Sequence, residues 1–245
     1  MRPAELDVIA LIGGRPYSRS HVLAWEDRRI DAAARKLGVV APPAAGIARR
    51  REDWLGIKRS LGAEEMQRRL ARDIAVSNVI GRAQAKMSAR RRRCVTELFI
   101  PGASSSDFTE WFNTITFSSD EDAMMRACPD HFVLRMGKGG QEVIETNGGS
   151  PLTARFAIDY DDVASITTPV DPIFPWCLDG VARADDGTAL GGVRHQFRDT
   201  PEGVHARLLV EFPLPMLQSI IRGHRWHLAC EFSNWFEAAT AADRM

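Results

Sequence analysis

The 245-residue sequence predicts an α+β fold in which helices gather against one curved antiparallel sheet. Three observations predict it. The first ~90 residues carry apolar side chains at helical spacing among many Arg and Glu. From residue 95 onward the texture becomes β-prone, with short alternating runs separated by Gly and Pro. A long segment with a helical apolar stripe, Leu214–Ala239, then closes the chain.

The elements follow in order. Trp25–Leu37 and Ala63–Ile80 read as helices, with Ala41-Pro42-Pro43-Ala44-Ala45-Gly46 as a break between them. Val95–Ile100 reads as a strand that Pro101-Gly102 punctuates. Ser104-Ser105-Ser106-Asp107 offers N-cap side chains for a short helix Phe108–Ile115, and Ser118-Ser119-Asp120 for a second, Glu121–Ala127. Phe132–Met136 and Gln141–Thr146 flank Gly137–Gly140, a hairpin pattern. Ala154–Tyr160, Gly180–Ala184, Gly192–Arg198 and Val204–Pro213 supply further strands. In the last, Val204, Ala206, Leu208 and Val210 face one way and His205, Arg207 and Leu209 the other. This order is that of a helix-grip (START-like) fold, in which a cavity between sheet and long helix is the natural ligand site. Such cavities also serve cyclases and pure binders, so fold alone leaves function open.

Charge divides the chain. Residues 1–93 hold 21 Lys/Arg and 10 Asp/Glu, a balance of +11. Residues 94–245 hold 11 and 22, a balance of −11, so the formal total is zero. We therefore read residues 1–93 as a basic helical appendage and 94–245 as the working domain. Arg90-Arg91-Arg92-Arg93 reads as a solvated linker or a basic arm on the acidic body. No groove-reading motif accompanies it, which argues against a nucleic-acid partner. No stretch approaches the ~20 apolar residues of a membrane helix, and no secretory pattern opens the chain, so a cytoplasmic location is expected. The four cysteines lack CxxC spacing and read as free thiols or a ligand.

The strongest chemical signal is His224-Arg225-Trp226-His227-Leu228-Ala229-Cys230-Glu231. His227 and Glu231 are four apart on one helix face beside the apolar stripe. A Glu facing the interior needs a compensating partner. A structural His–Glu contact and a metal pair both satisfy that need. Two more segments bear on the choice. One is His195-Gln196-Phe197-Arg198-Asp199-Thr200-Pro201-Glu202-Gly203. The other runs from Thr96-Glu97-Leu98-Phe99-Ile100-Pro101-Gly102 through Trp111-Phe112 to Cys128-Pro129-Asp130-His131. With Val143-Ile144-Glu145-Thr146-Asn147-Gly148-Gly149 and the final HxxxE, this ordered set, from about Val95 to Phe236, resembles the diacetylphloroglucinol hydrolase and phloretin hydrolase family.

The resemblance implies a zinc ion held by two His and two Glu. Carried over by motif, these are His131, Glu145, His227 and Glu231. The family often reads Trp-His-Pro-x-Asp/Asn-His where this chain has Ala127-Cys128-Pro129-Asp130-His131, so Cys128 or His131 completes the set; both are acceptable zinc ligands. The resemblance also implies cleavage of a ketone C–C bond between an acyl group and a phenolic ring, or in a related β-diketone. The expected partner is thus a small aromatic or polyketide-like substrate, and a homodimer is left open. His195 is the candidate for acid–base work. The competing reading is a metal-free polyketide cyclase or hydrophobic-ligand carrier on the same fold. Arg198 and Asp199 read as a structural ion pair, and His205 as a residue able to line the cavity.

Overall fold

The computed structural model describes residues 6–243. Among these, nine strands form one antiparallel sheet: β1 Ile9–Ile12, β2 Arg15–Ser18, β3 Arg91–Pro101, β4 His131–Gly137, β5 Gly140–Glu145, β6 Ala154–Asp159, β7 Trp176–Arg183, β8 Ala189–Thr200 and β9 Gly203–Pro213. The spatial order is β2-β1-β3-β9-β8-β7-β6-β5-β4. Five helices accompany it: α1 Arg19–Leu37, α2 Ile47–Met87, α3 Ser105–Phe117, α4 Glu121–Arg126 and α5 Gln218–Ala242. The protein is therefore α+β, with a large antiparallel sheet and a C-terminal helix.

The helix ends have local causes. Gly38 closes α1 in the left-handed conformation, φ 67°, which glycine adopts without a Cβ penalty. Ser104 and Asp120 cap α3 and α4, each side chain accepting a backbone N–H three residues on. α2 is two helical stretches broken at Gly62, φ 75°.

α5 lies against the sheet, with Thr96 Oγ1 donating to Arg225 O at 2.9 Å. It is buried without interruption from His227 to Phe236, because α1 and α3 cover the sides that the sheet does not. The main core joins Leu98, Ala206 and Leu208 of the sheet to Phe108 and Phe112 of α3 and to Leu228, Phe232 and Phe236 of α5. A second core joins Ile30 and Leu37 of α1 and Trp54, Met66 and Leu70 of α2 to Phe132, Val133 and Ile144 of the β4–β5 hairpin.

Three expectations change. The segment before residue 94 is not wholly helical, since β1 pairs with β3 and carries β2 at the sheet's edge. Arg91, Arg92 and Arg93 are no linker; they begin β3 and pair with Pro213, Phe212 and Glu211 of β9. Asp199 makes no pair with Arg198: its carboxylate accepts the Ser105 N–H at 2.8 Å, at the start of α3, while Arg198 donates to His205 Nδ1 at 3.2 Å.

Candidate metal centre

Three elements deliver the candidate ligands to one place. His131 opens β4, Glu145 ends β5 directly opposite it in register, and His227 and Glu231 sit one turn apart on α5. The hairpin thus presents a His and a Glu, and the helix presents another of each. His131 and His227 are fully buried, and Glu145 and Glu231 are nearly so. His131 Nε2 lies 3.0 Å from His227 Nε2, 3.1 Å from Glu231 Oε2 and 3.7 Å from Glu145 Oε2. His227 Nε2 lies 3.5 Å from Glu231 Oε2 and 3.7 Å from Glu145 Oε2.

These separations test whether a metal fits. Tetrahedral zinc holds N and O ligands at ~2.0–2.2 Å, so its ligand atoms stand ~3.4 Å apart. The observed values bracket that spacing. The chemistry of the donor set agrees. Met124 O can only accept, so His131 Nδ1, 2.9 Å away, must donate to it. That leaves Nε2 as the ring atom aimed at the centre. Two carboxylate oxygens face the same point, and only a cation or a proton can hold such a set together.

Electrostatics report the same demand. Burial lowers the His227 pKa, but the carboxylates of Glu145 and Glu231 outweigh burial and raise it to about 9. Burial raises that of Glu231, but His227 and His131 outweigh it and hold the group below the ordinary carboxylate range. Glu145 is pushed up, mainly by burial.

Cys128, His131 and His227 also form a buried group able to hold a metal ion, with ligand atoms within 4.8 Å of one another. Cys128 Sγ approaches the far side of His227, 3.7 Å from Nδ1. With no metal bound, burial pushes this thiol well above its usual range; a coordinated metal ion would deprotonate it. The Nε2 side of His227 brings four candidate donors together, and Cys128 lies on its Nδ1 side.

No family model matches the chain, and no curated protein matches it. Among solved structures, "Crystal structure of Ara h 8.0201" aligns at a TM-score of 0.41 and 11% identity, covering 62% of this chain and 99% of that one.

Glu145 and Glu231 also line a cavity of about 180 Å³ between the sheet and α5. Its wall is mainly apolar, with Phe112, Leu178, Leu228 and Phe232 among the lining residues. His195, His224 and Trp235 line it too, and His195 Nδ1, His224 Nδ1 and Trp235 Nε1 are buried without hydrogen-bond partners. Burial lowers His195 to about 4 against the pull of Glu231 and Asp179. Its ring stands edge-on to Phe232, centroids 4.7 Å apart. His224 is held well below its usual range by burial and by His227 beside it.

His205 does not line the cavity. It faces the other side of the sheet, where Nε2 meets Glu97 Oε2 at 2.7 Å and the ring stacks on Phe99. Several cavity residues escaped the sequence reading, His224, Ser77 and Asn78 among them. His224 lay within the HxxxE segment but carried no motif of its own. Ser77 and Asn78 come from α2, in a segment read as separate from the site. No helix among the described residues is long and apolar enough to cross a membrane.

Proposed function

We propose that this chain is a zinc-dependent hydrolase, built on a helix-grip scaffold, that cleaves the C–C bond joining an acyl carbon to an electron-rich phenolic ring, or the matching bond of a β-diketone. One observation carries the reading: His131 Nε2, His227 Nε2 and the carboxylates of Glu145 and Glu231 converge at ligand spacing, and both carboxylates border an apolar cavity. The ordered resemblance to the acylphloroglucinol hydrolases selects the reaction class. The unpartnered nitrogens of His195, His224 and Trp235 suit a ligand whose hydroxyl and carbonyl groups complete their hydrogen bonds.

When bound, the metal supplies Lewis acidity toward a ketone oxygen and acidifies water. The protein's own groups do the rest. The aromatic wall holds the ring and excludes bulk water. His195, neutral in its buried setting, accepts the proton released as water adds to the acyl carbon. It returns that proton to the ring carbon as the C–C bond breaks. Water is consumed, and the products are the ring bearing hydrogen and a carboxylic acid.

Elemental analysis of the purified protein tests the proposal, together with acid release from acylphloroglucinol-type ketones. About one zinc per chain, lost in His227→Ala and Glu231→Ala along with activity, is the expected result. No metal after zinc is supplied would leave the cavity to a cyclase or a hydrophobic-ligand carrier.

A further inference from the structure

The turn that carries His131 is held from outside by side chains of α1 and α2, a segment with no part in the family resemblance. Lys58 is 1% exposed, and its Nζ donates to Met125 O at 2.6 Å, His131 O at 2.9 Å and Cys128 O at 3.4 Å. An ammonium has three N–H donors, and all three are spent on this one turn. Trp54 Nε1 donates to Pro129 O at 3.1 Å. Arg29 grips the Asp130 carboxylate with two parallel bonds, Nε at 2.8 Å and Nη2 at 2.6 Å. Asp130 is fully buried and also accepts the Thr146 hydroxyl. It thereby ties the residue before His131 to the residue after Glu145.

We infer that Arg29, Trp54 and Lys58 are positioning residues of the metal centre, which fix the 125–131 turn so that His131 Nε2 and the Glu145 carboxylate meet the α5 pair. The inference rests on the metal reading above. A purely stabilising role would scatter such donors over the interface. Here the donors of three side chains fall on one turn, and Asp130 couples that turn to the second hairpin ligand. Charge provides an independent sign. Arg29 is a cation beside a site that takes a cation, and Lys58, which burial lowers to about 7, is one below that pH, so if charge ruled, removing them would tighten metal binding. If position rules, removing them loosens it, because the metal must then order its own ligand.

The test uses the full-length chain with zinc and with cobalt. Lys58→Met, Arg29→Met and Trp54→Phe are compared with the wild type and with Arg68→Ala, whose exposed partner Glu65 lies on the same helix. Zinc affinity is read by competition with a chromophoric chelator, and ligand geometry from the cobalt absorption spectrum. Affinity is expected to fall on the order of tenfold or more in Lys58→Met and Arg29→Met. The cobalt bands should shift, and Arg68→Ala should match the wild type. Trp54→Phe keeps the ring and removes only the N–H, so it serves if the charged variants fail to fold; a smaller loss in the same direction is expected. Folded variants with lower melting temperatures but unchanged affinity and cobalt spectrum would overturn the inference and leave the metal reading standing. Tighter binding in Lys58→Met would overturn it as well. A wild type that binds neither metal would overturn both.

Discussion

His131 and His227 face each other through their Nε2 atoms at 3.0 Å, and only one of those atoms can carry a proton in the metal-free protein. His131 spends its Nδ1 proton on Met124 O, so His227, raised to about 9 by Glu145 and Glu231 against burial, is the ring that holds it. Metal and proton therefore compete for one place. The sign follows directly. Below about 9 the proton occupies His227 and must leave before metal enters; above it the site is already bare. Zinc affinity should weaken roughly tenfold per pH unit on descending from pH 8 to pH 6 and level off above about 9. Calorimetry in buffers of different ionisation enthalpy should count about one proton released per zinc near neutrality. A pH-independent affinity over that range would contradict this account.

Removing the metal should leave only the His227 proton to hold two buried carboxylates together, a weaker tie than the ion. A ligand at ~1,000 times its dissociation constant adds about 4 kcal/mol to stability. For a chain of this size, each kcal/mol moves the melting temperature by about 2–4 °C. Chelation should therefore lower the midpoint by about 8–16 °C, and zinc should restore it. Glu231→Gln should reproduce the lowered midpoint and lose most of its response to zinc. Differential scanning fluorimetry with and without chelator checks both.

His195 sits at about 4 because burial outweighs Glu231 and Asp179. A lowered histidine is neutral above its pKa, so across pH 5–9 this ring changes no charge. The rate profile should show no inflection from His195 near 6.5. His195→Asn should keep the metal and lower turnover by about 10²-fold or more, the usual contribution of a positioned acid–base group. Retained turnover in a metal-loaded His195→Asn protein would remove His195 from the chemistry.

Gly148 and Gly223 allow the 147–149 turn to touch α5 beside the ligands. A Cβ on Gly223 would lie 2.0 Å from Gly148 O, and one on Gly148 would lie 2.1 Å from His224 N. Both obstacles are backbone and cannot swing aside. Gly223→Ala should destabilise by about 1–3 kcal/mol or more and weaken zinc binding by shifting the helix that carries His227. Gly56, inside α2, meets nothing within 4 Å. Gly56→Ala should instead stabilise by about 0.5–1 kcal/mol. Denaturant titration of the two variants gives opposite signs if this packing is correct.

The legible parts of the sequence were those governed by period and punctuation. Seven of the strands, β3–β9, and α3, α4 and α5 lie where the β-prone runs, the capping Ser and Asp side chains and the apolar stripe put them. β1 and β2 were missed because four-residue strands interrupted by Gly13-Gly14 and Pro16 are too short to show alternation. The start of β3 was hidden by charge. Arg91–Arg93 are a strand because β9 pairs with them, and pairing leaves no mark on composition. His227 and Glu231 were legible from helical spacing alone. The choice between Cys128 and His131 was not, since both belong to one turn, and only the fold shows which atom faces Glu145 and Glu231. The inward role of α1 and α2 escaped for a related reason. Buried cations such as Lys58 look in sequence like the solvated lysines of any surface helix.

That last misreading makes the fate of a shortened chain a sharp test. A fragment starting at residue 91 keeps every candidate ligand and the whole region of family resemblance, so an appendage could be removed without harm. The packing predicts otherwise. Phe132, Val133, Ile144 and Met125 bury themselves against Ile30, Leu37, Trp54, Leu55, Met66 and Leu70, and the loss of β1 leaves β3 as an unpaired edge. Exposing an apolar face and a sheet edge together favours aggregation. Each large buried side chain left in water forfeits about 1.5–3 kcal/mol, so a few of them exceed the whole margin of stability, about 5–15 kcal/mol. The 91–245 fragment should be insoluble or aggregated on size-exclusion chromatography and should bind no zinc. Co-expression with residues 1–90 should recover soluble complex if the two pieces meet through the second core. A monomeric, zinc-binding fragment would show that α1 and α2 are carried by the domain and do not build it.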